Sequence, residues 1–195
     1  MIDALIPHGT CWHCDEVEAD QNPWICQGCW VSVRRIEALE AGEHTTALYR
    51  YQGALETLLA RAKRPLEPAI YRLLLGVDFE LPKGALYVPV PTPWHRRFRR
   101  RGCQTTCIAE ALAKRFGGSV QHALTRGRFA KRQARLDAAS RRALPEDSFR
   151  LRTPVPDAAY VVLVDDVVTT GTTLRRAAKA LGREDVHRFA LAKVL

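Results

Sequence analysis

The sequence predicts an α/β protein in which helices flank a parallel sheet and a small cysteine-rich module precedes them. Strand-like apolar runs alternate with amphipathic helical patterns between residues 51 and 194, which is typical of a parallel sheet. Two Cys-x-x-Cys pairs lie near the start, in a segment too short to bury a core of its own. The length of 195 residues accommodates one ordinary domain plus such a module. We therefore expect a module over residues 1–34 and an α/β domain over residues 35–195.

The first element is a pair of cysteine knuckles, Cys11 with Cys14 and Cys26 with Cys29, separated by eleven residues. This spacing indicates a structural zinc site, in which four thiolates surround one ion and leave no position open for catalysis. Disulfides and unligated thiols are the alternatives, and the cytosol disfavours disulfides because it keeps thiols reduced. Structural zinc contributes roughly 10–16 kcal/mol, so the ion would dominate the stability of so small a module.

Four elements are predicted between the module and the middle of the chain. Leucines at helical spacing predict a helix over residues 51–63, and a second helix follows over 66–75. Residues 86–91 predict a short strand that runs into a proline-stiffened loop. Residues 104–116 carry apolar side chains on one helical face and end at a glycine pair, so they predict a third helix.

Five further assignments cover the second half of the chain. Residues 119–125 predict a strand, and the basic, poorly periodic stretch 126–149 predicts a loop that holds one helix near 136–144. A strand over 160–165, a helix over 172–181 and a final strand within 186–194 complete the alternation.

Cys103 and Cys107 differ from the four knuckle cysteines. Their i, i+4 spacing places them on one helix face, where two thiols could contribute to a metal site. Since no second pair lies nearby, the sequence favours an interpretation as small buried hydrophobic residues.

The most informative stretch covers residues 161–174 and reads VVLVDDVVTTGTTL. Its apolar start predicts a buried strand, and the hydroxylated residues around Gly171 predict a tight turn that opens a helix. Such a turn directs backbone N–H groups at one point, where the helix dipole also favours an anion. Asp165 and Asp166 stand at the carboxyl end of the strand, where open α/β sheets bind ligands. This combination fits a ligand with a phosphate and sugar hydroxyls; a capped turn without a ligand is the alternative.

This stretch resembles, position by position over residues 161–173, the thirteen-residue signature of the type I phosphoribosyltransferases. The resemblance implies that the loop holds the 5-phosphate of phosphoribosyl pyrophosphate (PRPP) and that the acidic pair contacts the ribose hydroxyls. The implied catalytic pair is Asp165 and Asp166. The implied PRPP-binding residues of the loop are Val167, Val168, Thr169, Thr170, Gly171, Thr172 and Thr173.

The whole chain resembles a narrower family, the ComF/GntX-type proteins, in which a zinc module precedes a type I phosphoribosyltransferase-like domain. The matching pieces are the four cysteines, residues 49–53 with Leu58 and Lys63, residues 88–91, residues 96–102, then Gln133, Leu136, Arg141 and Phe149, and residues 161–174. The resemblance implies that Pro91 and Thr92 face the pyrophosphate of PRPP. It also implies that Arg97 and Arg101 help to neutralise the phosphates, with Lys63 as a further contributor.

The family resemblance also implies a function. It implies binding of PRPP with Mg2+, and a role in natural competence and DNA uptake, with single-stranded DNA (ssDNA) and DNA-processing proteins as partners. Phosphoribosyl transfer would be the reaction if turnover occurs. The alternatives are a phosphoribosyltransferase of nucleotide metabolism or salvage, and a PRPP-sensing protein without turnover.

Two departures from the family pattern bear on turnover. The family has the run Arg-Gly-Phe-Asn-Gln, and this chain has Gln104 and Thr105 at the last two positions of that run. Further along, Leu144 stands where the family usually has asparagine. Amide side chains donate and accept specific hydrogen bonds, and leucine cannot replace one. The resemblance therefore predicts PRPP binding more firmly than it predicts a reaction with a second substrate.

Charge and composition bound the remaining possibilities. Lys and Arg number 30 against 21 Asp and Glu, so the net charge is +9. The surplus falls in two runs, residues 94–101 and 125–142, which predict a surface for nucleotides or nucleic acid; a solvated surface is the alternative. Trp94 and Phe98 lie in the first run and would add stacking on ssDNA.

The apolar residues are too scattered for a membrane protein. No apolar run approaches the roughly 18 residues of a membrane span, and the opening residues lack the basic region and apolar core of a secretory signal. We therefore expect a cytoplasmic protein.

Overall fold

The computed structural model describes residues 10–15, 24–36, 44–61, 67–92, 104–126, 148–157 and 159–195. Within these ranges the helices are α1 (Gln27–Val31), α2 (Gly53–Arg61), α3 (Glu67–Leu75), α4 (Gln104–Phe116) and α5 (Thr172–Leu181). The strands are β1 (Thr45–Arg50), β2 (Leu86–Pro89), β3 (Ser119–Val120), β4 (Leu124–Arg126), β5 (Phe149–Leu151), β6 (Val161–Val168) and β7 (His187–Lys193).

Five parallel strands in the order β1–β7–β6–β2–β3 form the central sheet. β6 occupies the middle position and is eight residues long. α4 connects β2 to β3 and α5 connects β6 to β7, as parallel neighbours require a crossover. The predicted fold class, a parallel sheet flanked by helices, is confirmed.

The core lies on both faces of this sheet. Val162 and Val164 of β6 join a buried cluster with residues of α2, α3 and α4. Val161 and Leu163 point to the other face and join a cluster with residues of α5. Because helices cover both faces, β6 begins with a continuous apolar run instead of an alternating one.

Two helices match their predicted bounds, α4 over Gln104–Phe116 and α5 over Thr172–Leu181. The predicted helix near 136–144 lies outside the described residues. None of the helices within the described ranges is long and apolar enough to cross a membrane.

Two predicted strands differ from the structure. β6 continues beyond Asp165 to Val168, because Val167 and Val168 still pair with β7. The strand predicted over 119–125 is divided in two: β3 pairs with β2 in the main sheet, whereas β4 pairs antiparallel with β5. A tight turn, in which the N–H of Ala123 donates to the carbonyl of Gln121 (2.9 Å), separates the two pieces.

A close backbone approach precedes β3. Gly118 has φ +106°, and a Cβ at this position would collide with the carbonyl oxygen of Ala85. Gly84 also has a positive φ, +74°, but the space around it is open. Of these two positions, therefore, only Gly118 combines a left-handed backbone with a steric requirement for glycine.

The cysteine module packs directly against α2 and α3. Ile25 and Cys26 share a buried cluster with Ala54 of α2. The guanidinium carbon of Arg72, in α3, lies 4.5 Å from the ring centroid of Trp30. Trp30 thus contributes to the contact between the module and the sheet domain.

The chain that leaves the module covers part of one sheet edge. The N–H of Ile36 donates to the carbonyl of Leu48 in β1 (2.9 Å), and the N–H of Arg50 donates to the carbonyl of Arg34 (2.9 Å). β1 is therefore hydrogen-bonded on both sides over part of its length, to β7 on one side and to residues 34–36 on the other.

Candidate functional site

The loop between β6 and α5 has the backbone of an anion cradle. Gly171 is the N-cap of α5 and has φ 72°, a left-handed conformation that glycine adopts without strain. No side chain caps this helix at Gly171, so its first N–H groups remain available. The hydroxyls of Thr170 and Thr172 lie 2.8 Å apart across the glycine. Converging N–H groups and hydroxyls at a helix N-terminus suit a phosphate.

An arginine that sequence reasoning missed fastens this loop. Nη1 of Arg175 donates to the carbonyl of Thr170 (3.2 Å), and Nη2 donates to the hydroxyl of Thr172 (3.1 Å). A basic residue in the first turn of the helix after the loop was the available signal. It was overlooked because the family signature ends before this position.

The acidic pair precedes the loop within β6. Asp165 is buried, with 8% of its surface exposed, whereas Asp166 is half-buried. Oδ1 of Asp165 accepts from the N–H of Asp166 (2.9 Å), and Oδ1 of Asp166 accepts from the N–H of Val167 (2.9 Å). These bonds hold each carboxylate close to its own strand.

Burial sets the acidity of this pair. It raises the pKa of Asp165 well above its usual range, and the neighbouring carboxylate of Asp166 raises it further. The positive charge of Arg126 opposes both effects. Asp165 is thus a carboxyl group that exchanges its proton at a higher pH than an exposed aspartate does.

Arg126 links three parts of the site. Its Nε donates to the carbonyl of Pro91 (3.0 Å), and its guanidinium carbon lies 5.2 Å from the ring centroid of Phe149 in β5. Through its charge it also acts on Asp165. Sequence reasoning placed Arg126 in a basic run without assigning it a role, because its neighbours here are distant in the chain.

The predicted pyrophosphate loop lies beside the acidic strand. Val90 extends the pairing of β2 with β6, since its N–H donates to the carbonyl of Val164 (2.9 Å). Pro91 and Thr92 follow directly and are half-buried. The structure therefore brings Pro91 and Thr92 to the same end of the sheet as Asp165.

The first departure from the family pattern, Gln104 with Thr105, falls on α4, and both residues have structural partners. Nε2 of the buried Gln104 donates to the carbonyl of Leu59 in α2 (2.7 Å), and the hydroxyl of the buried Thr105 donates to the carbonyl of Val90 (2.9 Å). Both side chains thus tie the start of α4 to neighbouring elements. The second departure, Leu144, lies outside the described residues.

Several predicted site residues also lie outside the described residues. These are Lys63, Trp94, Arg97, Phe98, Arg101 and Cys103. Cys107 is described and is buried in α4, as expected for a small hydrophobic residue.

The four knuckle cysteines form the second candidate site. Their Sγ atoms all lie within 4.8 Å of one another, and those of Cys14 and Cys26 are 3.9 Å apart. A tetrahedral ion with Zn–S bonds of 2.3 Å requires sulfur atoms about 3.8 Å apart. The cluster therefore fits a single metal ion such as zinc.

Backbone N–H groups surround these sulfur atoms. The N–H of His13 donates to Sγ of Cys11 (3.4 Å), and the N–H of Cys29 donates to Sγ of Cys26 (3.5 Å). Burial alone would raise the pKa of Cys11, but backbone hydrogen bonds outweigh it and lower the pKa to about 6. Burial raises the pKa of Cys29, and hydrogen bonds with neighbouring thiols raise it further. Donors aimed at sulfur favour the thiolate, which is the form that binds metal.

Comparison with known proteins identifies the domain that carries the loop at Gly171. Residues 106–195 match the phosphoribosyl transferase domain family. The parallel sheet, the strand-end loop and this match define the class: a protein with a phosphoribosyltransferase-like domain. The clustered cysteines and the similar proteins described next support the resemblance of the chain to the ComF/GntX-type family.

The similar proteins share one name. The DNA utilization protein YhgH of Salmonella typhimurium is 28% identical over an alignment of 226 positions, which covers 96% of this chain and 98% of that protein. The DNA utilization protein YhgH of Escherichia coli (strain K12) is 36% identical over 140 residues, which cover 65% of this chain and 60% of that protein. The Salmonella alignment spans the cysteine module as well as the sheet domain.

Proposed function

We propose that this protein binds PRPP, as its Mg2+ complex, at the carboxyl end of β6 and that it acts in DNA uptake and utilization. The observation that carries the proposal is the loop at Gly171: a left-handed helix start without a side-chain cap, shortly after a carboxylate pair in which Asp165 is buried and Asp166 half-buried. That arrangement offers hydrogen-bond donors to a phosphate and acceptors to ribose hydroxyls within one short segment.

Each part of PRPP has a proposed partner. Residues Val167 to Thr173 hold the 5-phosphate, and Asp165 with Asp166 accept from the ribose hydroxyls. Pro91 and Thr92 face the pyrophosphate, together with Arg97 and Arg101. The Mg2+ ion arrives with PRPP and takes oxygen ligands from the pyrophosphate, which is the donor type it prefers.

If the protein turns PRPP over, the reaction is a displacement at the anomeric carbon. A nucleophile forms the new bond to that carbon, and the bond to the pyrophosphate oxygen breaks, so that pyrophosphate leaves with both electrons. Positioning of the ribose and neutralisation of the leaving group are the contributions of the protein.

The proposed role in DNA utilization rests on the relatives and on charge. The name of the Salmonella and Escherichia relatives supports it, as does the net charge of +9. We propose that ssDNA is the partner and that the runs 94–101 and 125–142 contact its backbone. Binding of an oligonucleotide should then weaken steeply with salt; affinity that persists in high salt would argue against it.

The cysteine module is proposed to hold one structural Zn2+ through Cys11, Cys14, Cys26 and Cys29. It corresponds to residues 1–34, and the phosphoribosyltransferase-like domain to residues 35–195. We further propose that the protein works in the cytoplasm, where PRPP and reduced thiols are both present.

The PRPP proposal is tested by titration. We expect wild-type protein to bind Mg2+–PRPP and the double variant Asp165→Asn/Asp166→Asn to lose binding while it keeps its circular dichroism spectrum. A matched double variant at exposed positions, Asp78→Asn/Asp157→Asn, should bind as wild type does. Equal affinity in the site variant and the control would refute the proposal.

Two alternatives separate in a further assay. A salvage phosphoribosyltransferase releases pyrophosphate with a nucleobase as acceptor, whereas a PRPP sensor binds PRPP and releases none. A screen of pyrophosphate release over bases, amines and ssDNA distinguishes them. The structural use of Gln104 and Thr105, at positions where the family has other residues, favours the sensor over the salvage enzyme.

A further inference from the structure

One side chain spans the phosphate loop from the residue before Gly171 to the residue after it. The guanidinium of Arg175 donates to the Thr170 carbonyl (3.2 Å) and to the Thr172 hydroxyl (3.1 Å). The hydroxyls of these same two threonines lie 2.8 Å apart. Arg175 thus closes a small ring of hydrogen bonds around the glycine.

The chemistry of arginine decides which atom donates and which accepts in one hydrogen bond of this ring. A guanidinium only donates and is always charged, so Oγ1 of Thr172 must accept from Arg175. The single hydroxyl proton of Thr172 then points away from Arg175, either to Thr170 or to a ligand in the loop. Arg175 therefore directs the hydroxyl proton of Thr172 away from the guanidinium before a ligand arrives.

The same guanidinium adds charge at the loop. A Cβ placed on Gly171 would lie 4.0 Å from Nη1 of Arg175. The cation therefore lies close to Gly171, on the side from which a Cβ would project. A phosphate in the loop would thus lie close to a positive charge that makes two fixed bonds of its own.

We propose that Arg175 is a positioning residue that preforms the loop and makes it selective for a phosphate monoester, the 5-phosphate end of the ligand. This inference rests on the proposed function and deepens it. The pyrophosphate end of PRPP is assigned to the loop at Pro91 and Thr92, so Arg175 should affect the two ends unequally.

The test compares ligands that represent the two ends separately. Ribose 5-phosphate and inorganic pyrophosphate are titrated into the full-length protein and into Arg175→Met. We expect the Kd for ribose 5-phosphate to rise about tenfold, since two charge-assisted bonds at the loop are lost, and the Kd for pyrophosphate to change by less than about twofold. Arg175→Lys keeps the charge but loses the forked pair of donors. Its Kd for ribose 5-phosphate should lie between those of wild type and Arg175→Met.

A matched control has the same change of charge on the same helix. Lys179→Met, one turn further along α5 and exposed, should leave both Kd values within about twofold of wild type. Hydrogen exchange without ligand provides a second readout: the amides of residues 169–173 should exchange faster in Arg175→Met than in Lys179→Met. Thermal melting establishes whether each variant is folded. If Arg175→Met does not fold, Arg175→Lys replaces it in the comparison.

The outcomes distinguish the two proposals. Wild-type protein that binds neither ligand overturns the proposed function and this inference with it. Wild-type binding that Arg175→Met retains in full overturns the inference alone. Equal losses for ribose 5-phosphate and pyrophosphate, or the same loss in Lys179→Met, also overturn it, because they indicate a general effect of charge.

Discussion

Neutralising Asp165 should stabilise the protein while it removes ligand binding. Asp165 is a buried carboxyl next to a second carboxylate, and both circumstances raise its pKa. The substitution Asp165→Asn keeps an oxygen that can accept from the N–H of Asp166, so the bond of 2.9 Å need not be lost. What disappears is the cost of a charge in a buried position beside a like charge.

The size and pH dependence of this gain follow from linkage. Because the folded-state pKa lies above the unfolded value of about 3.9, the folded state loses stability as the pH rises through the folded pKa. Below the unfolded value the carboxyl is protonated in both states and no penalty remains. A substitution that removes an unfavourable charge commonly raises the free energy of unfolding by about 0.5–2 kcal/mol. With a urea m-value of about 2 kcal/mol per molar, the midpoint should rise by about 0.3–1 M.

Urea unfolding at a series of pH values between 5 and 8 measures this gain. The difference between Asp165→Asn and wild type should be largest at pH 8 and should narrow toward pH 5. The exposed control Asp157→Asn should show no such trend. A gain that is constant with pH, or a loss of stability at pH 8, would refute the argument that the charge of the buried Asp165 destabilises the folded state.

Three further predictions concern the sheet, the module and the site. Gly118→Ala should lower the free energy of unfolding by about 3 kcal/mol or more, because the left-handed backbone costs about 1–2 kcal/mol and the Cβ meets the Ala85 carbonyl; Gly84→Ala, in open space, should cost only about 1–2 kcal/mol. Urea melts of both variants check this, and equal losses would contradict it. Purified protein should contain one zinc per chain by metal analysis, and Cys26→Ser should lower the melting temperature of the whole chain; a folded sample without zinc would exclude the site. Arg126→Met should raise the pKa of Asp165 further, since it removes an opposing positive charge, and should shift the acid limb of PRPP binding to higher pH; an unshifted limb between pH 5 and 8 would show that Arg126 does not act on Asp165.

Features encoded in adjacent residues could be predicted from the sequence. The strand that leads into the acidic pair, the turn at Gly171 and the cysteine knuckles each follow from a pattern over a few residues. The structure has the turn and the knuckles where they are expected, and the strand begins one residue after the predicted start at residue 160. The bounds of α4 and α5 were also predicted correctly, because each combines a helical apolar face with a glycine at one end.

Features that depend on distant neighbours could not be predicted. β1 was missed because Thr45–Arg50 is short and is held by β7, far along the chain. The end of β6 was placed too early, because two aspartates resemble the end of a strand when the pairing with β7 is unknown. Arg126 and Arg175 resemble ordinary surface arginines until their contacts with Pro91 and Thr172 are seen.

The two hydrogen bonds that residues 34–36 make with β1 have a consequence for solubility. An unprotected strand edge is a template on which a second chain can add its own strand. The segment that shields β1 follows the cysteine knuckles closely in the chain, so we expect its position to depend on how those knuckles are held together. If the knuckles hold zinc as proposed, loss of the ion should uncover this edge of β1 and promote self-association, even when the loop around Gly171 is unchanged.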